Sequence, residues 1–197
     1  MRILQSLKRT IELLTPWEGS YAICGGVAAC LYRETPRYTG DIDIAIIDSS
    51  SKSAHEIAET VLKGLGYEPI VGFVTNHRGE LMQQVALVVG READQSKYSG
   101  IDFLLPVLDW VEPAVRRAQH NKLDFGFAQI ASLTPEDLIV AKLFALQGTP
   151  ERKHDLDDVL SIMKNLPNLN YDFIRELTNK YTISLPAAVA SQMGSQV

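Results

Sequence analysis

Apolar residues recur at Ile3, Leu4, Leu7, Ile11 and Leu14, a spacing that predicts an amphipathic helix over residues 3–14, ended before Pro16. A short apolar run, Tyr21–Cys24, stops at Gly25-Gly26, and Val27–Tyr32 reads as a buried helix. Asp41–Ile47 is rich in β-branched residues and alternates at its start, so it reads as a strand. Ser53 and Glu56 form a capping box for a helix whose apolar stripe is Ala54, Ile57, Ala58, Val61, Leu62 and Leu65, with Gly66 as its stop. Strands are expected at Glu68–Val74, Leu81–Val89 and Gly100–Leu105, with a turn at Asn76–Gly79 between the first two. Pro106–Arg117 reads as a helix, and Leu123–Ala131 as a strand with a break at Gly126.

Beyond Ala131–Leu133 the pattern turns wholly helical. Thr134 caps a helix with Pro135 at its first position and Asp137 closing the box. Leu138–Leu146 is apolar except for Lys142, and Gly148 ends it. Thr149-Pro150 starts another helix, with Leu156, Val159, Leu160 and Met163 on its buried face. Residues 170–180 and 185–193 read as short helices. The expected organisation is therefore an α/β core over residues 1–131, followed by a helical region over 132–197 packed on it.

Composition narrows the class. With 46% hydrophobic and 22% charged residues in 197, the chain is an ordinary globular one. Nineteen Lys and Arg against 24 Asp and Glu give a net charge of −5, so any grip on nucleic acid must rest on a local patch. Arg116, Arg117, His120 and Lys122 form the basic cluster to test, with a solvated helix end as the plainer explanation. Cys24 and Cys30 fit neither a disulfide framework nor a zinc spacing and read as small core residues in a reducing compartment. The four scattered histidines make no zinc site. No signal peptide and no window near the roughly 20 apolar residues of a membrane span is visible, so a soluble cytoplasmic protein is expected.

The chemistry gathers where Gly25-Gly26 is followed, fifteen residues later, by Asp41-Ile42-Asp43. Side chains at i and i+2 of a strand share a face, so Asp41 and Asp43 project together. Two carboxylates that close repel one another unless a cation lies between them, and hard oxygen donors suit Mg²⁺ or Mn²⁺. Bare backbone amides at the start of a helix suit phosphate. The pair suggests a nucleoside triphosphate held through its metal. A tight turn beside a solvated strand edge is the other reading. Asp124-Phe125-Gly126 spells a kinase magnesium motif, but no catalytic loop accompanies it, so it reads as a strand with a glycine bulge or turn.

The stretch GGVAACLYRETPRYTGDIDIAI resembles the signature of the nucleotidyltransferase (DNA polymerase β-like) superfamily. The Arg37-x-Thr39-x-Asp41 lead-in and the later LTPEDLIVAKLFALQGTPERKHDLDDV are similar to its AbiEii-type branch, the toxin half of type IV toxin–antitoxin pairs. The resemblance covers residues 20–165. It implies a small mixed-sheet core flanked by helices, with a helical C-terminal region. It also implies a third carboxylate on a later strand, for which Asp102 is the match; an exposed strand end is the alternative. By the same resemblance Lys142 stands near the nucleotide phosphates, with a snorkelling surface lysine as the alternative, and Asp155 belongs to the site with Asp158 second. Arg37 and Thr39 are placed to reach the triphosphate, or are plain loop residues.

The resulting expectation is NMP transfer from an NTP to a hydroxyl. Asp41, Asp43 and Asp102 would hold two Mg²⁺ about 3.5–4 Å apart. Asp102 would serve the acceptor side and Gly25-Gly26 the β/γ phosphates. The acceptor is a tRNA 3′ end, a protein or a small molecule, and the family implies an antitoxin partner. The alternative is an inactive module of the same fold that binds a nucleotide or a protein.

Overall fold

The computed structural model describes residues 2–73, 83–91, 100–148 and 152–194. Helix α1 (Arg2–Leu14) runs into a 3-10 turn at Thr15–Trp17, where Pro16 forbids continuation. Strand β1 (Tyr21–Ile23), helix α2 (Gly25–Tyr32), strand β2 (Asp41–Ile46) and helix α3 (Ala54–Gly64) follow. The Ser53 hydroxyl accepts from Glu56 N–H and the Glu56 carboxylate accepts from Ser53 N–H, so the expected capping box starts α3. Then come β3 (Glu68–Gly72), β4 (Leu87–Arg91), β5 (Gly100–Leu104) and α4 (Val111–Ala118). The hairpin β6 (Lys122–Asp124) and β7 (Gln129–Ala131) leads to α5 (Pro135–Gly148), α6 (Lys153–Asn165), α7 (Tyr171–Lys180) and α8 (Ala187–Gly194).

The main sheet has five strands in the order β1-β2-β5-β4-β3, with β2 and β5 parallel and the other neighbours antiparallel. The two-residue period sorts its central strands. Ile42, Ile44, Ile101 and Phe103 are fully buried on one face, while Asp41, Asp43, Asp102 and Leu104 share the other. The fold is the mixed-sheet, helix-flanked α/β arrangement expected from the sequence.

Several boundaries differ from expectation. The helix over Pro106–Arg117 begins only at Val111, because Leu105 and Leu108 carbonyls accept from Leu108 and Val111 amides in two successive turns. The strand over Leu81–Val89 starts at Leu87 and runs to Arg91, since Leu87 pairs with Gly72, where β3 ends. Position 74, the turn at 76–79 and residues 81–82 lie outside the described residues, as does the helix start at 149–150. The strand over Leu123–Ala131 is a hairpin, not one run. Gly126 takes φ +82° and its amide donates to Asp124 Oδ1 at 2.7 Å, so the Asp124-Phe125-Gly126 segment is a turn.

The C-terminal helices are bound to the sheet by buried polar contacts. Leu133 N–H donates to the Ile23 carbonyl at 2.9 Å, and Ile23 bridges Ser132. Tyr32 hydroxyl donates to the Leu133 carbonyl at 2.9 Å and accepts from Asn121 Nδ2 at 2.6 Å. Burial pushes that hydroxyl up to about 12, so it stays a neutral partner. Asn165 Nδ2 donates to the Tyr32 carbonyl at 2.8 Å, which ties α6 to the end of α2. These ties hold α5 and α6 over the end of the sheet that carries the acids. Among the described residues no helix is long and apolar enough to cross a membrane.

Candidate active site

Asp43 and Asp102 are register partners on the parallel strands β2 and β5. Adjacent strands lie about 4.8 Å apart and these two residues face the same side, so their carboxylates are neighbours. Asp41 is exposed two residues before Asp43 on that face, and Asp43 and Asp102 are half-buried. Burial, then Asp102 and Asp41, push the Asp43 carboxyl up, against the pull of Lys142 and the Gly26 N–H, to about 6.

The glycine turn meets these acids directly. Cys24 N–H donates to the Asp43 carbonyl at 3.0 Å, which lays the turn against β2. Gly25 has φ +57°, and a Cβ there would overlap the Asp43 carboxylate. A Cβ at Gly26 would come within 2.5 Å of Thr39 Oγ1. Gly25, Gly26, Arg37, Thr39 and the three acids thus line one cavity.

Lys142 does not snorkel to water. It is 4% exposed, and its Nζ lies 2.8 Å from Asp155 Oδ1 and 2.7 Å from Asp158 Oδ2. Asp158 is fully buried and is the hub of this network. Its Oδ1 accepts from Arg33 Nη1 at 2.6 Å and Arg37 Nε at 2.8 Å, and its Oδ2 from Arg37 Nη2 at 2.6 Å. Burial works to raise the Asp158 carboxyl, but the Arg37 hydrogen bonds and the Lys142 charge outweigh it and hold it at about 2. Arg33 is a member that sequence reasoning missed, since nothing local marks an arginine at the end of α2 as paired with α6. Asp155 and Asp158 stand three apart on α6, a spacing that does put both on one helix face.

The cavity measures about 420 Å³ and has a mixed lining. The glycine turn, the three acids and Lys142 supply polar groups. Leu104, Trp110, Leu138, Ala141 and Ala145 supply apolar surface, with Tyr38, Arg152 and His154 among the remaining lining residues. Leu138, Ala141, Lys142 and Ala145 fall at i, i+3, i+4 and i+7 of α5, a face legible from the sequence though not singled out in it. The basic cluster lies outside this cavity and is mostly paired internally. Arg116 binds Glu112 at 2.6 Å, Arg117 grips buried Asp137 at 2.6 and 2.9 Å, and Lys122 lies 3.4 Å from Glu18.

The donor set fits a hard divalent cation, with two carboxylates side by side and a third two residues away on the same face. Among the described residues no group of three His, Cys, Asp or Glu side chains is arranged as a ready-made metal site.

Residues 11–187 match the model of the family described as Nucleotidyl transferase AbiEii toxin, Type IV TA system. Among curated proteins none matches the chain. Among solved structures, an antigenic nucleotidyltransferase-like protein from Paracoccidioides brasiliensis aligns with TM-score 0.53 at 17% identity, covering 98% of this chain and 93% of that one. The antibiotic-resistance factor ANT(2'')-Ia, solved in complex with adenylyl-2"-tobramycin, aligns with TM-score 0.57 at 12% identity, covering 91% of this chain and 96% of that one. At such identities the likeness establishes the fold, and it is the fold seen here. A family match over nearly the whole chain goes further: the chain belongs to the AbiEii family of type IV toxin–antitoxin systems and is a nucleotidyltransferase.

Proposed function

We propose that this chain joins the NMP of an NTP to a hydroxyl acceptor, with Asp41, Asp43 and Asp102 as ligands for Mg²⁺ or Mn²⁺. The observation that carries this reading is the register pairing of Asp43 with Asp102 against the Gly25-Gly26 turn, in a cavity that also contains Lys142. Bound to the acids, a divalent cation supplies charge stabilisation at the phosphates and lowers the pKa of an acceptor hydroxyl.

The chain's own residues do the remaining work. The turn presents backbone amides to the β and γ phosphates without a side chain in the way. Lys142, held by Asp155 and Asp158, brings a fixed positive charge to the triphosphate and to the departing pyrophosphate. Asp102 stands at the acceptor side. The acceptor hydroxyl gives its proton to water, its oxygen attacks the α-phosphorus, the bond from that phosphorus to the bridging oxygen breaks, and pyrophosphate leaves. Arg37 and Asp158 keep the lead-in segment and Lys142 in place.

The acceptor is a hydroxyl of RNA, of a protein or of a small molecule, and a toxin role implies an antitoxin partner. Calorimetry with Mg²⁺ and each NTP, followed by transfer of an α-phosphate label to tRNA, to lysate protein or to aminoglycosides, tests the reading and assigns the acceptor. Label carried to one class supports it. Nucleotide binding with no transfer to any class supports an inactive nucleotide-binding module instead.

A further inference from the structure

Tyr38 sits in the lead-in to the metal strand and lines the cavity, yet it is 90% exposed. The other strongly exposed large apolar side chains among the described residues reach at most 54%. An aromatic ring with nearly all its surface in water is apolar area without a partner. The segment that carries it is nonetheless held firmly. Arg37 Nη1 donates to the Tyr38 carbonyl at 2.9 Å, while Nε and Nη2 of the same guanidinium grip buried Asp158. Asp158 also anchors Lys142, so one buried carboxylate holds both the phosphate-side charge and, through Arg37, the backbone that carries Tyr38.

An NTP bound with its phosphates on the turn and Lys142 has one flat, apolar, ring-shaped part, its base. An RNA acceptor end has the same part. We propose that Tyr38 is a binding residue on which a nucleobase stacks, and so a determinant of substrate choice in the transfer reaction proposed above, on which this inference rests. Aromatic faces stack bases with little dependence on sequence, because every base has a π-face.

The test compares Tyr38→Ala and Tyr38→Phe with the native chain in Mg²⁺, by calorimetry with the four common NTPs and with inorganic tripolyphosphate, which lacks a base. Stacking of the incoming nucleotide predicts a loss of NTP affinity of roughly 5- to 150-fold in Tyr38→Ala, unchanged tripolyphosphate binding, and recovery in Tyr38→Phe. Stacking of an acceptor base predicts unchanged NTP affinity, a comparable rise in KM for the RNA acceptor at constant kcat, and the same recovery. Tyr38→Ala that matches the native chain in NTP affinity and in RNA KM overturns the inference, as does unchanged NTP affinity in a protein that uses no RNA acceptor. Equal loss of NTP and tripolyphosphate overturns it too. A native chain that neither binds NTP nor transfers from it overturns both this inference and the proposed function, whereas native binding and transfer that Tyr38→Ala matches in both NTP affinity and RNA KM overturns the stacking alone.

Discussion

Residue 25 is constrained twice over. Its φ of +57° is strained for any residue with a side chain, and a methyl group there would occupy the space of the Asp43 carboxylate. Residue 26 lies in the helix, and its Cβ would come 2.5 Å from Thr39 Oγ1 and 3.0 Å from Thr39 Cβ, so Thr39 itself must shift. The two glycines therefore part company on substitution. Gly25→Ala should cost about 1–3 kcal/mol in denaturant unfolding and abolish transfer, because the carboxylate must move. Gly26→Ala should cost less stability than Gly25→Ala, since a helix-propensity gain of about 1 kcal/mol offsets part of the Thr39 shift, and should lose activity to the extent that Thr39 is displaced. Equal losses at both positions would contradict this geometry.

At the scale of elements, Asp158 joins the end of α2 through Arg33, the lead-in to β2 through Arg37, and α5 through Lys142. Asp158→Ala leaves three cations around an emptied buried position and should cost about 3–5 kcal/mol. Acid titration gives a second handle. The folded carboxyl sits at about 2, below its ordinary value of 3.8, so its stabilisation is complete above pH 3.8 and is lost as pH falls through about 2. The cations around this acid therefore contribute on the order of 2 kcal/mol at neutral pH relative to pH 2. Melting of Asp158→Asn should be lower at pH 7 and flatter between pH 5 and 2 than that of the native chain.

The same network shows what the sequence could and could not disclose. The acids of β2 were legible because a two-residue period puts Asp41 and Asp43 on one face, and the capping box at Ser53 because its partners are three residues apart. Lys142 stood out as the polar interruption of an apolar helix. Arg33 did not, since its partners lie more than a hundred positions away and only the packing of α6 on α2 brings them together. The helix at Pro106 was overextended for a related reason: helical composition there is overruled by two turns that bring Trp110 into the core.

For the whole molecule, the sheet face bearing the acids and the helices α5 and α6 close around one cavity lined by both charged and apolar side chains. Mg²⁺ binding only to the folded arrangement should raise the melting temperature, equivalent to about 2.7 kcal/mol at a hundredfold excess over Kd. Asp43→Asn and Asp102→Asn should lose that shift, while surface changes at the internally paired Arg116 should not. The most direct test of the central claim is transfer of an α-phosphate label from NTP in Mg²⁺ by the native chain, Asp43→Asn and Asp102→Asn, each first confirmed as folded. The account predicts labelled acceptor from the native chain and a fall of at least about 100-fold in both variants. Transfer that survives either substitution at native rate would contradict it.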